Sequence, residues 1–280
     1  MFKIVSKKFL NPSVVMMDIE APLVAGKAKA GQFIILRVHE DGERIPLTIA
    51  GRNKENGTVT IIFQVVGSTT EILKHKDVGD EICDFVGPLG NPTDIEGLAN
   101  ACVVGGGVGC AIALPVANEL KISGIDVTSI IGFRNKDLVI LEDEFKQASN
   151  DLYIVTDDGS YGDKGNVCNP LDDLLASGKK FDKIFAIGPL IMMKYVVQTA
   201  KKHNIPCIVS MNPIMIDGTG MCGCCRLTVG GEMKFACVDG PDFDGYKVNF
   251  DETMKRNRMY GDYERKAYED TCNLFKKEQM

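Results

Sequence analysis

Along the first third of the chain, apolar and polar positions alternate in short runs: FKIVSKKFL, SVVMMDIEAP, QFIILRVHE, RIPLTIAG, TVTIIFQVVG and EICDFVGPLG. Successive side chains of a strand point to opposite faces, so this alternation predicts strands with one buried face. Gly, Pro, Asn and Asp separate the runs at intervals typical of a small barrel or sandwich. Residues 1–95 are therefore expected to form an all-β unit, an antiparallel barrel.

After GNPTDIEGL the rhythm changes. ACVVGGGVG, VTSIIGF, LYIVTDDG, KIFAIGP and PCIVSMNP are continuous apolar runs, the pattern of strands covered on both faces. CAIALPVANELKISG, LEDEFKQAS, NPLDDLLASG and LIMMKYVVQTAKKHN supply helices between them. Strands alternating with helices predict a parallel α/β sheet over 96–212, with ligands at the carboxyl ends of its strands. A cysteine-bearing segment over 213–250 follows. The charged stretch 251–280 has Met, Tyr and Phe at helical spacing and reads as a helical tail, either solvated or a docking arm.

Composition narrows the function classes. A chain of 280 residues has room for two domains and an appendage. A net charge of -6 with scattered Lys and Arg argues against nucleic acid, which calls for a concentrated basic face. No run approaches the ~20 apolar residues of a membrane span, and the first residues lack a signal-peptide core, so a cytoplasmic protein is expected. Of the ten cysteines, Cys83, Cys102, Cys110, Cys168, Cys207 and Cys272 stand singly beside apolar residues and read as reduced core thiols.

Candidate chemistry concentrates at a few places. Gly105, Gly106, Gly107 and Gly109 lie between a buried strand and a helix, where glycine lets the backbone approach a pyrophosphate at a helix N-terminus. Asp157 and Asp158 end another buried strand and could each accept bonds from ribose hydroxyls while repelling a 2'-phosphate, which tilts the reading to NAD(H). Arg44, Pro46 and Thr48 offer a cation, a fixed turn and a hydroxyl, and Gly67, Thr69 and Thr70 could open an anion-binding helix. Cys222 and Cys225 form a C-x2-C pair on a glycine-rich loop able to grip one iron, with Cys237 brought back by the strand pair LTVGGEMKFAC. Structural zinc ordinarily shows two short-spaced ligand pairs, and this segment shows a single one.

The order of these pieces carries a resemblance. A strand R-x-P-L-T, a G-S-T-T helix start, GPLG, a GGG-V-G turn and GPLIMM together resemble the ferredoxin-NADP reductase superfamily. MNPIMIDGTGMCGCCR and KFACVDGPDFDGYKVNF narrow this to its iron-sulfur electron-transfer subunits. Those typified by dihydroorotate dehydrogenase are similar, and the small subunits of NADH-dependent reduced ferredoxin:NADP oxidoreductase more so. The resemblance implies FAD on Arg44, Pro46, Leu47, Thr48, Gly67, Thr69 and Thr70, and NAD(H) on Gly107, Val108, Gly109 and Asp157. It also implies a 2Fe-2S cluster on Cys222, Cys225 and Cys237. The related subunits carry a further cysteine five residues ahead of the C-x2-C pair, where this chain has Asp217. Asp217 is thus implied as the fourth ligand, with Cys224 or water as the alternative. The implied partner is a larger flavin and iron-sulfur subunit in a heterodimer, handling ferredoxin and NADP(H) in an electron-bifurcating complex. Electron-transfer subunits of dihydroorotate dehydrogenase, sulfide dehydrogenase or hydrogenase are the same-fold alternatives. A non-catalytic, metal-stabilised binding module is the alternative of another class.

Overall fold

The computed structural model describes residues 1–278. Its first sheet comprises β1 (Phe2–Asn11), β2 (Val14–Glu20), β3 (Phe33–Arg37), β4 (Arg44–Asn53), β5 (Thr58–Gln64), β6 (Glu81–Ile82) and β7 (Asp84–Leu89). Helix α1 (Pro22–Lys27) precedes β3, and α2 (Ser68–His75) precedes β6. All pairings are antiparallel, in the order β6-β1-β2-β5-β4-β3-β7. The two edge strands are separated in sequence by Cys83 alone, so the sheet must curl until its edges nearly meet. The result is a nearly closed barrel filled by Ile4, Met17, Ile19, Ile34, Leu36, Ile61 and Phe63. EICDFVGPLG, expected as one strand, is thus two, on opposite rims.

The second sheet is built from β8 (Asn100–Gly106), β9 (Asp126–Phe133), β10 (Asp151–Thr156), β11 (Asp163–Lys164), β12 (Lys183–Ile187) and β13 (Cys207–Ser210). Its helices are α3 (Gly109–Ile122), α4 (Glu142–Ala148), α5 (Cys168–Ala176) and α6 (Leu190–Lys202). Beyond it come the hairpin β14 (Arg226–Val229) and β15 (Glu232–Phe235), the turn α7 (Ala236–Asp239), and β16 (Asp242–Asp244). The order is β11-β10-β9-β8-β12-β13-β16, parallel except for β16, which runs antiparallel to β13. Winding reverses between β8 and β12, which opens a crevice at their carboxyl ends. The cysteine-bearing segment therefore contributes an edge strand to this sheet.

Three cores hold these parts together. Ile34 and Leu36 point into the barrel, while their neighbours Phe33 and Ile35 face outward and join Val104, Ala186 and Val209 of the second sheet and Cys225, Leu227 and Cys237 of the cysteine segment. The Asn91 amide donates to the Gly240 carbonyl at 2.6 Å, and the Thr93 hydroxyl to Asp242 Oδ2 at 2.6 Å. Burial pushes the Asp242 carboxyl up. The expected tail is two helices, α8 (Phe250–Asn257) and α9 (Gly261–Glu278). The second returns to the barrel, where Ser68 and Thr271 hydroxyls lie 2.7 Å apart and the rings of His75 and Phe275 stack at 3.7 Å. Among the described residues no helix is long and apolar enough to cross a membrane.

Candidate functional site

A cleft of about 1180 Å³ opens between the barrel and the carboxyl ends of β8 and β12. Pro46, Leu47, Thr48 and Thr70 line it from the barrel, and Gly107, Val108, Gly109 and Asp157 from the second sheet. The glycines are there for steric reasons. Gly107 has φ +56, and its amide donates to the Gly132 carbonyl at 2.9 Å, which turns the chain sharply out of β8. A Cβ on Gly109 would sit 2.6 Å from Gly188 Cα and 2.7 Å from the Ile187 carbonyl, so α3 can start against the end of β12 only without a side chain. That start presents a helix N-terminus to the cleft, the place where anions are favoured.

The two aspartates after β10 divide. Asp157 donates its amide to the Phe133 carbonyl at 3.0 Å and lines the cleft. Asp158 turns onto its own loop: Oδ1 accepts from the Ser160 amide at 2.9 Å, and the Ser160 hydroxyl, then this amide, hold the carboxyl below its ordinary value.

Three expected residues are not brought to the cleft. Arg44 donates through Nε to the Ile216 carbonyl at 2.9 Å and through Nη1 to Asp84 Oδ2 at 3.0 Å, so its guanidinium faces the cysteine segment. Thr69 is buried and donates to Glu43 Oε2 at 3.0 Å. Gly67 is engaged by the Thr70 hydroxyl, which accepts from its amide at 3.0 Å and so caps α2. Conversely, the cleft includes Arg134, Asn166, Tyr195, Gln198 and Lys202, which sequence reasoning missed. Arg134 directly follows β9, so the rule that ligands sit at carboxyl ends of strands could have found it. Tyr195, Gln198 and Lys202 recur at helical spacing on α6, a pattern that a solvated face produces equally.

In the cysteine segment, Cys225 and Cys237 are buried with sulfurs 3.2 Å apart, too far for a disulfide. The β14–β15 hairpin thus folds back to bring the third thiol, Cys237, beside Cys225, as the sequence led one to expect. Backbone N–H groups are aimed at these thiols. The Cys237 amide lies 3.5 Å from Cys225 Sγ, and the amides of Cys224 and then Asp217 hold the exposed Cys222 thiol below its ordinary value. Burial pushes Cys237 up to about 12, opposed by the Gly220 amide. Amides directed at sulfur and free thiols on a glycine-rich loop are the donor chemistry of an iron-sulfur site, although among the described residues no three such side chains are gathered closely enough to hold a metal ion as they stand. The Asp217 carboxylate stands beside Cys222 but is partly engaged: Oδ2 accepts from the Thr219 hydroxyl, the Thr219 amide at 3.0 Å and the Met221 amide at 3.3 Å. Elsewhere Cys102, Cys110 and Cys207 are buried thiols pushed up by desolvation, as single core cysteines should be.

Residues 212–249 match the family model described as the iron-sulfur cluster binding domain of dihydroorotate dehydrogenase B. A Thermotoga maritima protein named as a homolog of the dihydroorotate dehydrogenase B (NAD(+)) electron transfer subunit is 49% identical, across 95% of this chain and 94% of its own. The electron transfer subunit of that enzyme from Streptococcus pneumoniae is 36% identical, across 86% of this chain and 94% of its own. A solved structure of NADH-dependent reduced ferredoxin-NADP oxidoreductase, reported for insights into flavin-based electron bifurcation, contains a chain 47% identical to this one. It superposes with a TM-score of 0.91, over 96% of this chain and 97% of that one.

Proposed function

We propose that this chain, which belongs to the family of dihydroorotate dehydrogenase B electron-transfer subunits, binds FAD and NAD(H) side by side in the cleft and holds a 2Fe-2S cluster on Asp217, Cys222, Cys225 and Cys237. The observation that carries this reading is one cleft lined by both Pro46–Thr48 with Thr70 and Gly107–Gly109 with Asp157. FAD supplies the conversion between hydride transfer and single-electron transfer, and the cluster carries single electrons. The chain's own residues bind and orient. Pro46, Leu47 and Thr48 form the flavin wall, the start of α3 receives pyrophosphate, and Asp157 accepts from ribose hydroxyls. In this reading residues 1–95 are the FAD-binding unit, 96–212 the NAD-binding unit, 213–250 the cluster unit and 251–280 the tail.

The likeness to the bifurcating oxidoreductase over nearly the whole chain supports a specific role. The chain is the NAD branch of such a complex, paired with a larger flavin and iron-sulfur subunit that handles NADPH and ferredoxin. The match of residues 212–249 favours, as a second reading, service to a dihydroorotate dehydrogenase. Ten free cysteines accord with a reducing compartment and hence with the cytoplasm. The test is anaerobic stopped-flow bleaching of the flavin band. NADH should reduce the flavin faster than NADPH, because the Asp157 carboxylate repels a 2'-phosphate, and Asp157→Ser should narrow the gap. Equal rates in the wild type would overturn the NAD(H) assignment, and purification without bound flavin would overturn the whole reading.

A further inference from the structure

We infer that Arg44 is a positioning residue of the iron-sulfur loop, tying the flavin-facing strand of the barrel to the segment that carries Asp217. The inference rests on the functional reading above and departs from it at this residue, which the sequence suggested as a phosphate ligand. Arg44 opens β4, and the residues after it, Ile45 to Thr48, line the cleft. Its own guanidinium turns away from that cleft. Nε donates 2.9 Å to the carbonyl of Ile216, the residue immediately before Asp217.

The fork cannot swing freely. Nη1 is held 3.0 Å from Asp84 Oδ2, which also accepts from Arg37 Nε at 2.7 Å, and Arg37 Nη1 is in turn fixed 2.6 Å from the Glu40 carbonyl. Arg44 and Asp84 are both partly sheltered, with 29% and 26% of their side-chain surface exposed, so the pair is less screened than an exposed one. The loop is seated on the barrel beside this contact. Gly218 has φ +84, and a Cβ there would meet Leu89 Cδ1 at 2.7 Å and Ile35 Cγ1 at 2.9 Å, so the backbone lies flat on β3 and β7. Further along, the Asn91 side chain donates to the Val238 carbonyl at 3.1 Å.

Two consequences follow for a cluster held on this loop. Arg44 fixes where the loop stands relative to the strand that faces the flavin. It also places a permanent positive charge near the cluster, which favours the more negative reduced state and raises the reduction potential. Lysine would keep the charge but not the planar fork that reaches the Ile216 carbonyl and Asp84 together.

The experiment uses the full-length chain as wild type, Arg44→Gln and Arg44→Lys, measuring FAD per chain after dialysis and the cluster's EPR signal during redox titration. Arg44→Gln should keep wild-type FAD content while its cluster potential falls and its EPR line shape changes. Arg44→Lys should restore the potential without restoring the line shape. Loss of FAD with an unchanged cluster would make Arg44 a flavin ligand and overturn the inference. So would no change in either, or loss of both together, which would mark a general packing role. If Arg44→Gln does not fold, Asp84→Asn releases the same fork: an altered line shape with FAD retained supports the inference, and an unchanged one overturns it. A wild-type chain without a reducible cluster signal would refute the functional reading itself, whereas a wild-type signal indifferent to residue 44 refutes this inference alone.

Discussion

One oxygen of the Asp217 carboxylate is occupied by its own loop, while among the described residues Oδ1 makes no hydrogen bond. A carboxylate bound this way can still give its second oxygen to iron, and the turn then acts as a splint for the ligand. Oxygen is a harder donor than thiolate, so Asp217→Cys should leave the cluster assembled but change its EPR signal and potential, while Cys224→Ser should leave both as they are. The opposite pattern would make Cys224 the ligand. The iron-sulfur segment as a whole and the glycine turn were legible in the sequence because residue type and spacing define them. Arg44 was not. Its direction is set by Asp84 on a strand paired to a neighbour of its own, and by a carbonyl 172 residues further along. Lys202 was invisible for a related reason: a cation on a helix reads as surface until the fold shows that it borders a cleft.

Elements were read well where burial imposes a period and poorly where pairing decides. The buried strands β8, β9, β10, β12 and β13 appear where continuous apolar runs placed them. The division of β6 from β7 has no local signal, because it follows from the barrel's closure. β16 has even less, since Asp242, Phe243 and Asp244 are too few and too polar to show alternation. A polar contact also sets where β8 begins. Asp182, just before β12, accepts the amides of Ala99 and Asn100, each at 2.8 Å, and the Asn100 amide, then that of Ala99, holds its carboxyl below the ordinary value of 3.8. A depressed carboxylate contributes stability that is fully present above its unfolded pKa and is lost as pH falls through the lower folded value. Asp182→Asn should therefore melt below wild type at neutral pH, with the gap closing as the pH falls below the ordinary carboxylate value. Thermal unfolding across that range measures it; a gap unchanged at low pH would exclude the carboxylate's charge as its cause.

In the whole molecule, the cluster of buried residues running from Phe33 and Ile35 through the second sheet to Cys225 and Leu227 makes the barrel, the sheet and the cysteine segment share one interior. The cleft lies between the barrel and the sheet, so a ligand that fills it stabilises both. FAD at a hundred times its dissociation constant should add about 2.7 kcal/mol to the folded state and raise one unfolding transition seen alike by far-UV dichroism and flavin fluorescence. Two separate transitions, with only one moved by FAD, would show that the units unfold independently. The place of β16 has its own consequence for a chain being made on the ribosome. Every strand of the barrel is supplied by Leu89, so that unit can close early. The other sheet waits for Asp242–Asp244, and until they arrive β13 presents a row of unpaired backbone groups that can recruit another chain. Nascent chains stalled short of β16 should accordingly aggregate more readily than the full-length chain, a difference that light scattering of stalled and released chains would measure.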